Sequence, residues 1–170
     1  NPIRLAKEFV KFNERCFVRL LGDMRSYNYV VDVTPDFEDE QYRVRPIDFD
    51  QQSYEGKKTM YLPQFFKDNN VIVELVLTLL KPDVVKQYQN EERTLMFRRL
   101  KSARYRLKDL IDCMRSDTIS TPEKVEELKQ QLANHHNSKE FLKCKGMGDL
   151  VRLNLKTILV KVPRIAEGKI

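Results

Sequence analysis

The change of pattern that decides the fold lies in residues 21–31, which read LGDMRSYNYVV. Before this stretch, apolar residues recur at three- and four-residue spacing, which predicts one amphipathic helix that begins near Pro2 and is stopped by Gly22. From Tyr29 onward, β-branched and aromatic residues predominate, which indicates a strand. The stretch therefore joins a helix to a strand through a short polar loop.

A second strand is predicted at residues 42–47, YRVRPI, where Pro46 restricts the strand to a short or edge position. An acidic, proline-containing stretch, residues 34–41, lies between the two strands, and we interpret it as a long loop. The strands and this loop make a small hairpin. An irregular region follows at residues 49–70.

The rest of the chain has helical periodicity. Asn69 or Asn70 can cap a helix that runs to about Leu80. Pro82 opens a long apolar stripe that predicts one helix to about Arg115. Shorter helices are predicted from Thr121-Pro122 to about Ala133, from Ser138, and from Gly148 to about Leu159. We therefore predict a mostly α fold with a small β hairpin.

Composition excludes several classes of protein. The chain has 170 residues, 41% hydrophobic and 33% charged, which fits a folded domain rather than a disordered tail. No apolar run approaches the roughly 18–20 residues that span a bilayer, so we expect no membrane partner. The 3 cysteines form no C-x-x-C pair and the 2 histidines are adjacent, which disfavours a disulfide scaffold, a structural zinc site and a histidine-based hydrolase. We expect reduced thiols and a cytoplasmic protein.

The net charge of +6 permits an anionic partner without demanding one. The basic residues of the long predicted helix spread over two sides, with Arg98 and Lys108 on one and Arg99 and Arg106 on another. A nucleic-acid stripe would be narrower, and acidic residues dilute this one. We interpret it as a solvated helix face and expect no nucleic-acid partner.

Polar side chains flank the predicted hairpin. Asp23 and Asn28 precede its first strand, Asp48 ends its second strand, and Asp50 follows. A hairpin brings the loop before it and the strand end after it together. A carboxylate that can accept a proton, with a second carboxylate and an amide oxygen that can hold Mg²⁺, are what phosphoryl transfer needs. Turn residues before the hairpin and an ordinary strand exit after it would give the same pattern, and both interpretations stay open.

The order of helix, Gly-Asp-x-x-x-x-Asn, two strands and Ile-Asp-Phe-Asp resembles the C-lobe of the protein-kinase-like fold, especially its aminoglycoside phosphotransferase and choline kinase branch. The resemblance implies that Asp23 is the catalytic base and that Arg25 faces the transferred phosphate. It implies that Asn28 and Asp48 bind Mg²⁺ together with ATP, and that Asp50 is a further acidic residue of the metal motif.

The resemblance covers about residues 3–55 and also implies how the chain is divided into segments. Residues 1–60 would carry the catalytic loop and metal motif, residues 61–162 the helical remainder of the same domain, and residues 163–170 a loose tail. Neither a glycine-rich phosphate loop nor a strand lysine precedes the first helix. We therefore expect a fragment of a longer protein, with the N-lobe upstream of Asn1, and little ATP affinity or activity in the isolated chain.

Two functions are compatible with the sequence. The first is the C-terminal portion of an ATP- and Mg²⁺-dependent kinase-like phosphotransferase, whose phosphate acceptor the sequence does not identify. The alternative is a non-catalytic interaction module, either a pseudokinase remnant or a helical scaffold that uses its basic face.

Overall fold

A computed structural model describes residues 1–159 of the chain. Within them the structure has six α-helices and one antiparallel hairpin, which confirms the mostly α fold with a small β element. The elements are α1 (Pro2–Val18), β1 (Tyr29–Asp36), β2 (Asp39–Pro46), α2 (Asn70–Leu79), α3 (Pro82–Ser102), α4 (Arg104–Ser116), α5 (Pro122–His136) and α6 (Met147–Leu159). Short 3₁₀ helices lie at Lys58–Tyr61, Pro63–Phe65, Lys67–Asn69 and Lys139–Lys143. The predicted loose tail, 163–170, lies outside the described residues.

The acidic stretch 34–41 is not a long loop, so this part of the sequence interpretation was wrong. β1 and β2 continue through it, and the last pair of the ladder joins Asp36 to Asp39. Only a two-residue turn separates the strands, and Phe37 in that turn has φ 52°. Tight hairpin turns need such positive φ values, which are uncommon for phenylalanine, so the residue type gave no signal for this turn.

The predicted long helix from Pro82 to Arg115 is two helices, with a break at Ala103. Ala103 has φ −106° and ψ 25°, outside the helical range. α3 packs against α1, whereas α4 packs mainly against α6. The break lets the two halves of the apolar stripe pack against different helices. The sequence did not predict it, because alanine favours helix and is not a helix-ending residue.

α1 is the central element, because it contacts α2, α3, α6 and β2. Phe17 near its C-terminal end and Leu20 in the following turn belong to the same buried cluster as Tyr61, Leu128 and Phe141. Residues 1–60 and the helices after them therefore share one hydrophobic core. A core of this kind fixes the position of the loop that follows α1.

α1 ends at Val18, and not at Gly22 as the sequence suggested. The turn is made by Leu20, which has φ 52°. The buried side chain of Asn154 on α6 donates to the carbonyls of Phe17 (2.9 Å) and Val18 (3.1 Å). A distant amide therefore satisfies carbonyl groups that a helix end leaves without partners.

Candidate functional site

Backbone pairing ties the loop after α1 to the segment after β2. Leu21 forms an isolated antiparallel bridge with Gln52. The Gly22 amide donates to the Gln51 carbonyl at 3.0 Å, and the Asp23 amide donates to the Met60 carbonyl at 3.0 Å. The Gly-Asp motif and the residues that follow Ile-Asp-Phe-Asp are therefore held side by side, although about thirty residues of chain separate them.

Gly22 is needed for this close approach rather than for ending the helix. A Cβ atom at this position would lie 3.0 Å from the Gln51 carbonyl oxygen and 3.3 Å from the Tyr61 ring. Asp23 then takes a left-handed conformation, with φ 58°. Aspartate tolerates this region better than most residues, because its short side chain can bond locally.

Asp23, Arg25 and Asn28 are in direct contact. Arg25 Nε donates to Asp23 Oδ1 at 2.8 Å, and this bond to the carboxylate raises the pKa of Arg25. Asn28 Nδ2 donates to the Asp23 backbone carbonyl at 2.7 Å and lies 3.4 Å from Asp23 Oδ2. The Asp23 side chain is 24% exposed, so it remains open to a ligand at its surface.

Asn69 holds the loop of residues 21–28 in place through side-chain hydrogen bonds. Its buried side chain donates to the carbonyls of Met24 (3.0 Å) and Pro63 (2.8 Å) and accepts from the Tyr29 hydroxyl at 2.6 Å. Asn69 stands at the N-cap of α2 but makes no side-chain capping bond. The sequence pointed to the cap and missed this role, because nothing local marks an asparagine that bonds a distant loop.

The second motif adjoins the first through a backbone bond. The Ile47 amide donates to the Asn28 carbonyl at 3.0 Å, and Asp48 is the next residue. Consecutive Cα atoms are about 3.8 Å apart, so the backbone of Asp48 lies next to the Ile47–Asn28 hydrogen bond. Asp48 Oδ1 accepts from the Asp50 amide at 3.0 Å, which fixes a tight turn between the two acids.

The sequence-predicted residues therefore fall into two groups. Asp23, Arg25 and Asn28 contact one another, and Asp48 and Asp50 are joined by the turn. Within residues 1–159 no side-chain hydrogen bond crosses between the groups, which meet through the backbone only. Asp50 is exposed and lines a cavity of about 430 Å³ that extends toward the start of α5, away from Asn28.

Asn28 and Asp48 retain oxygen atoms suited to a hard cation. In the described part of the chain, no hydrogen bond is accepted by Asn28 Oδ1 or by Asp48 Oδ2. Mg²⁺ typically takes one or two carboxylates and completes its shell with water and phosphate oxygens, so this donor set fits a metal that arrives with a nucleotide. No cluster of three or more His, Cys, Asp or Glu side chains able to hold a metal ion occurs among residues 1–159.

Comparison with known proteins adds no relative, since no family model, no curated protein and no solved structure matches this chain. The helices described for residues 1–159 include none that is both long and apolar enough to cross a membrane.

Proposed function

We propose that this chain is the catalytic half of a kinase-like phosphotransferase that uses ATP and Mg²⁺. The observation that carries the proposal is the junction between Asn28 and Ile47, which sets the loop of Asp23 beside the strand end of Asp48. The carboxylate that would act as base and the two oxygen atoms that would bind a metal lie on these adjoining segments, which supports the proposal. Phosphoryl transfer relies mainly on such positioning and on neutralisation of charge.

In this proposal each side chain has one task. Asp23 accepts the proton of the acceptor hydroxyl, while Asn28 and Asp48 supply oxygen ligands to the metal. Arg25 sits against Asp23 and provides a positive charge for the transferred phosphate. Bound Mg²⁺ would neutralise phosphate charge. Asp50 extends the acidic motif toward the neighbouring cavity.

Exposed apolar side chains around the site support a second lobe that covers it. Tyr27 is 65% exposed, Val33 51%, Ile47 51% and Phe49 54%. These side chains lie before, on and after the hairpin, and apolar surface left exposed there is available for another domain to dock. We propose that an N-lobe, which would carry the glycine-rich loop and strand lysine, packs here in the intact protein. The proposal includes a cytoplasmic setting, supported by Cys16, Cys113 and Cys144, which are all free thiols.

The test is a pair of substitutions in the full-length protein. Asp23→Asn should abolish phosphate transfer and keep Mg-ATP affinity, because it removes the proton acceptor and preserves shape. Asp48→Asn should lose most Mg-ATP affinity, because it removes the carboxylate ligand. The exposed Asp109→Asn on α4 is the matched control and should change neither. Calorimetric nucleotide titration and a phosphotransfer assay separate these outcomes.

Unchanged transfer in Asp23→Asn would remove the catalytic assignment. The isolated chain of 170 residues should bind ATP weakly, because it supplies one side of the nucleotide site only. Tight ATP binding by this chain alone would contradict the need for a second lobe.

A second candidate function is the non-catalytic interaction module. Arg25 already occupies one oxygen of the Asp23 carboxylate at 2.8 Å, which favours a structural role for both residues. The basic side chains of Arg98 and Lys101 on α3 are exposed and form no ion pair within residues 1–159, so a basic face is available. This function predicts that neither Asp23→Asn nor Asp48→Asn affects nucleotide affinity in the full-length protein.

A further inference from the structure

A cavity of about 500 Å³ lies between the C-terminal end of α1 and helices α3, α4 and α6. This volume is within the roughly 300–1,000 Å³ range of small-molecule sites. Most of its wall is aliphatic, formed by Met96, Leu100, Leu107, Leu110, Ile111, Met114, Val151 and Leu155. Arg15, Arg19, Arg99, Gln52 and Asp117 complete the lining. It is distinct from the candidate catalytic loop, none of whose residues 21–28 line it.

Arg19 in this cavity lacks a counterion. Its Nε is buried and has no hydrogen-bond partner, and Arg19 makes no ion pair within the described residues. The ring of Phe49 lies 5.9 Å from its guanidinium carbon and makes a cation–π contact. Arg15, by contrast, bonds Glu92 at 3.4 Å and the Val44 carbonyl at 2.7 Å. A buried polar atom without a partner is costly, and in a native structure it calls for an explanation.

The surroundings of Arg19 favour the binding of an anion. Burial and the neighbouring Arg15 both lower the pKa of Arg19. Cys16 lies close by, but burial raises the pKa of its thiol to about 12, so at neutral pH it supplies no negative charge. Asp117, the acid of the cavity, accepts from the Ile119 amide at 2.8 Å and forms no ion pair in residues 1–159. The cavity is therefore apolar in its body and positive where the arginines lie.

A second cavity of about 420 Å³ adjoins the first, and Leu100, Leu107, Ile111 and Leu155 line both. Its other lining residues are aliphatic, aromatic or basic: Phe97, Lys101, Arg104, Arg152, Lys156 and Leu159. No acidic residue among residues 1–159 lines it. Adjoining apolar volumes with basic edges match a long apolar molecule that carries one negative group.

We propose that this cavity binds a single-chain amphiphilic anion, with a carboxylate head group at Arg19 and Arg99 and its alkyl chain along the aliphatic wall. The head group would give the guanidinium of Arg19, which lines the cavity, its missing counterion, and charged partners make hydrogen bonds stronger than neutral ones do. The chain would remove apolar wall from water. The proposal stands on the cavity and its charges and does not depend on the proposed phosphotransferase function.

The test is a calorimetric titration of the chain with decanoate, below the concentration at which decanoate forms micelles. We expect saturable binding at one site, with decanol and decylammonium at least tenfold weaker. Decyl phosphate is included to tell a carboxylate site from a general site for anionic amphiphiles. Equal affinity for decanoate and decanol would overturn the proposal, as would the absence of saturable binding.

Variants of the two arginines test the head-group contact. Arg19→Met keeps the aliphatic stem and should weaken decanoate binding at least tenfold. Without ligand its melting temperature should not fall, because a half-buried charge without a counterion is removed. Arg99→Met, at an exposed position, should weaken binding several-fold. Arg43→Met on the hairpin lies outside the cavity and is the matched control. If Arg19→Met does not fold, unchanged binding in Arg99→Met overturns the head-group assignment.

Discussion

The side-chain amide of Asn28 donates a hydrogen bond to the backbone carbonyl of Asp23 at 2.7 Å, while the carbonyl of Asn28 accepts from the Ile47 amide at 3.0 Å. The buried Asn28 therefore closes the loop before the hairpin and joins this loop to the end of β2. The relative position of the two acidic motifs depends on this double contact.

Replacement of Asn28 should loosen the site and destabilise the protein. Asn28→Ala leaves the Asp23 carbonyl without its donor, and we expect the free energy of unfolding to fall by about 1–3 kcal/mol. Urea denaturation measures this change. Asn134→Ala, at an exposed position of α5, is the control and should change stability by less than about 0.5 kcal/mol. Equal effects of the two variants would show that the Asn28 contact does not hold the loop.

Asn69 and Asn70 offer a sharper comparison, because they are adjacent and differ in burial. Asn69→Ala removes three hydrogen bonds from a side chain that is 1% exposed, and should cost at least about 2 kcal/mol. Asn70→Ala removes no such bond and should be close to neutral. Amide hydrogen exchange should also become faster in residues 24–29 of the Asn69 variant alone. Unchanged exchange there would contradict the supporting role.

Two glycines provide a matched test of close approach. Gly22→Ala would place a methyl group 3.0 Å from the Gln51 carbonyl oxygen. We expect a loss of about 1–3 kcal/mol, because backbone atoms must move apart. Gly146→Ala meets no atom within 4 Å and should leave stability within about 0.5 kcal/mol of the wild type. Thermal melts of both variants would be sufficient, and an equally stable Gly22 variant would refute the packing argument.

Stability should depend on pH through His135. Partial desolvation of its ring, followed by the charges of His136, Lys58 and Arg93, lowers the pKa of the otherwise exposed His135 from 6.5 to about 4. The unfolded chain therefore binds a proton that the folded chain does not bind between these values, so the free energy of unfolding should fall as pH falls from about 6.5 to 4. Lys58 Nζ lies 3.4 Å from His135 Nδ1, which opposes protonation in the folded state.

The measurement is the urea midpoint of the wild type and of His135→Gln at a series of pH values. The variant should lose part of the slope between pH 6.5 and 4, and the two curves should run parallel above pH 7. Identical slopes in wild type and variant throughout this range would show that His135 does not titrate with the lowered pKa.

Local signals in the sequence located most elements. The start of α5 is one example, because Thr121 accepts from the Lys124 amide and Pro122 occupies the first turn. The errors have a common cause. The break at Ala103 and the turn at Phe37 arise where packing or strand pairing imposes a conformation that the residue itself does not favour.

The composition and periodicity of the sequence by themselves determined the mostly α character, the hairpin and the order of the two acidic motifs, because these depend on residues close together in the chain. Tertiary structure alone decided that Leu21 pairs with Gln52, that Asn69 bonds the Met24 carbonyl, and that the Nε atom of Arg19 is buried without a hydrogen-bond partner. Each of these facts is a contact or an environment created by elements far apart in the chain. Hydrophobic burial drives those elements together without direction, and the close fit of a folded core then selects which polar groups meet.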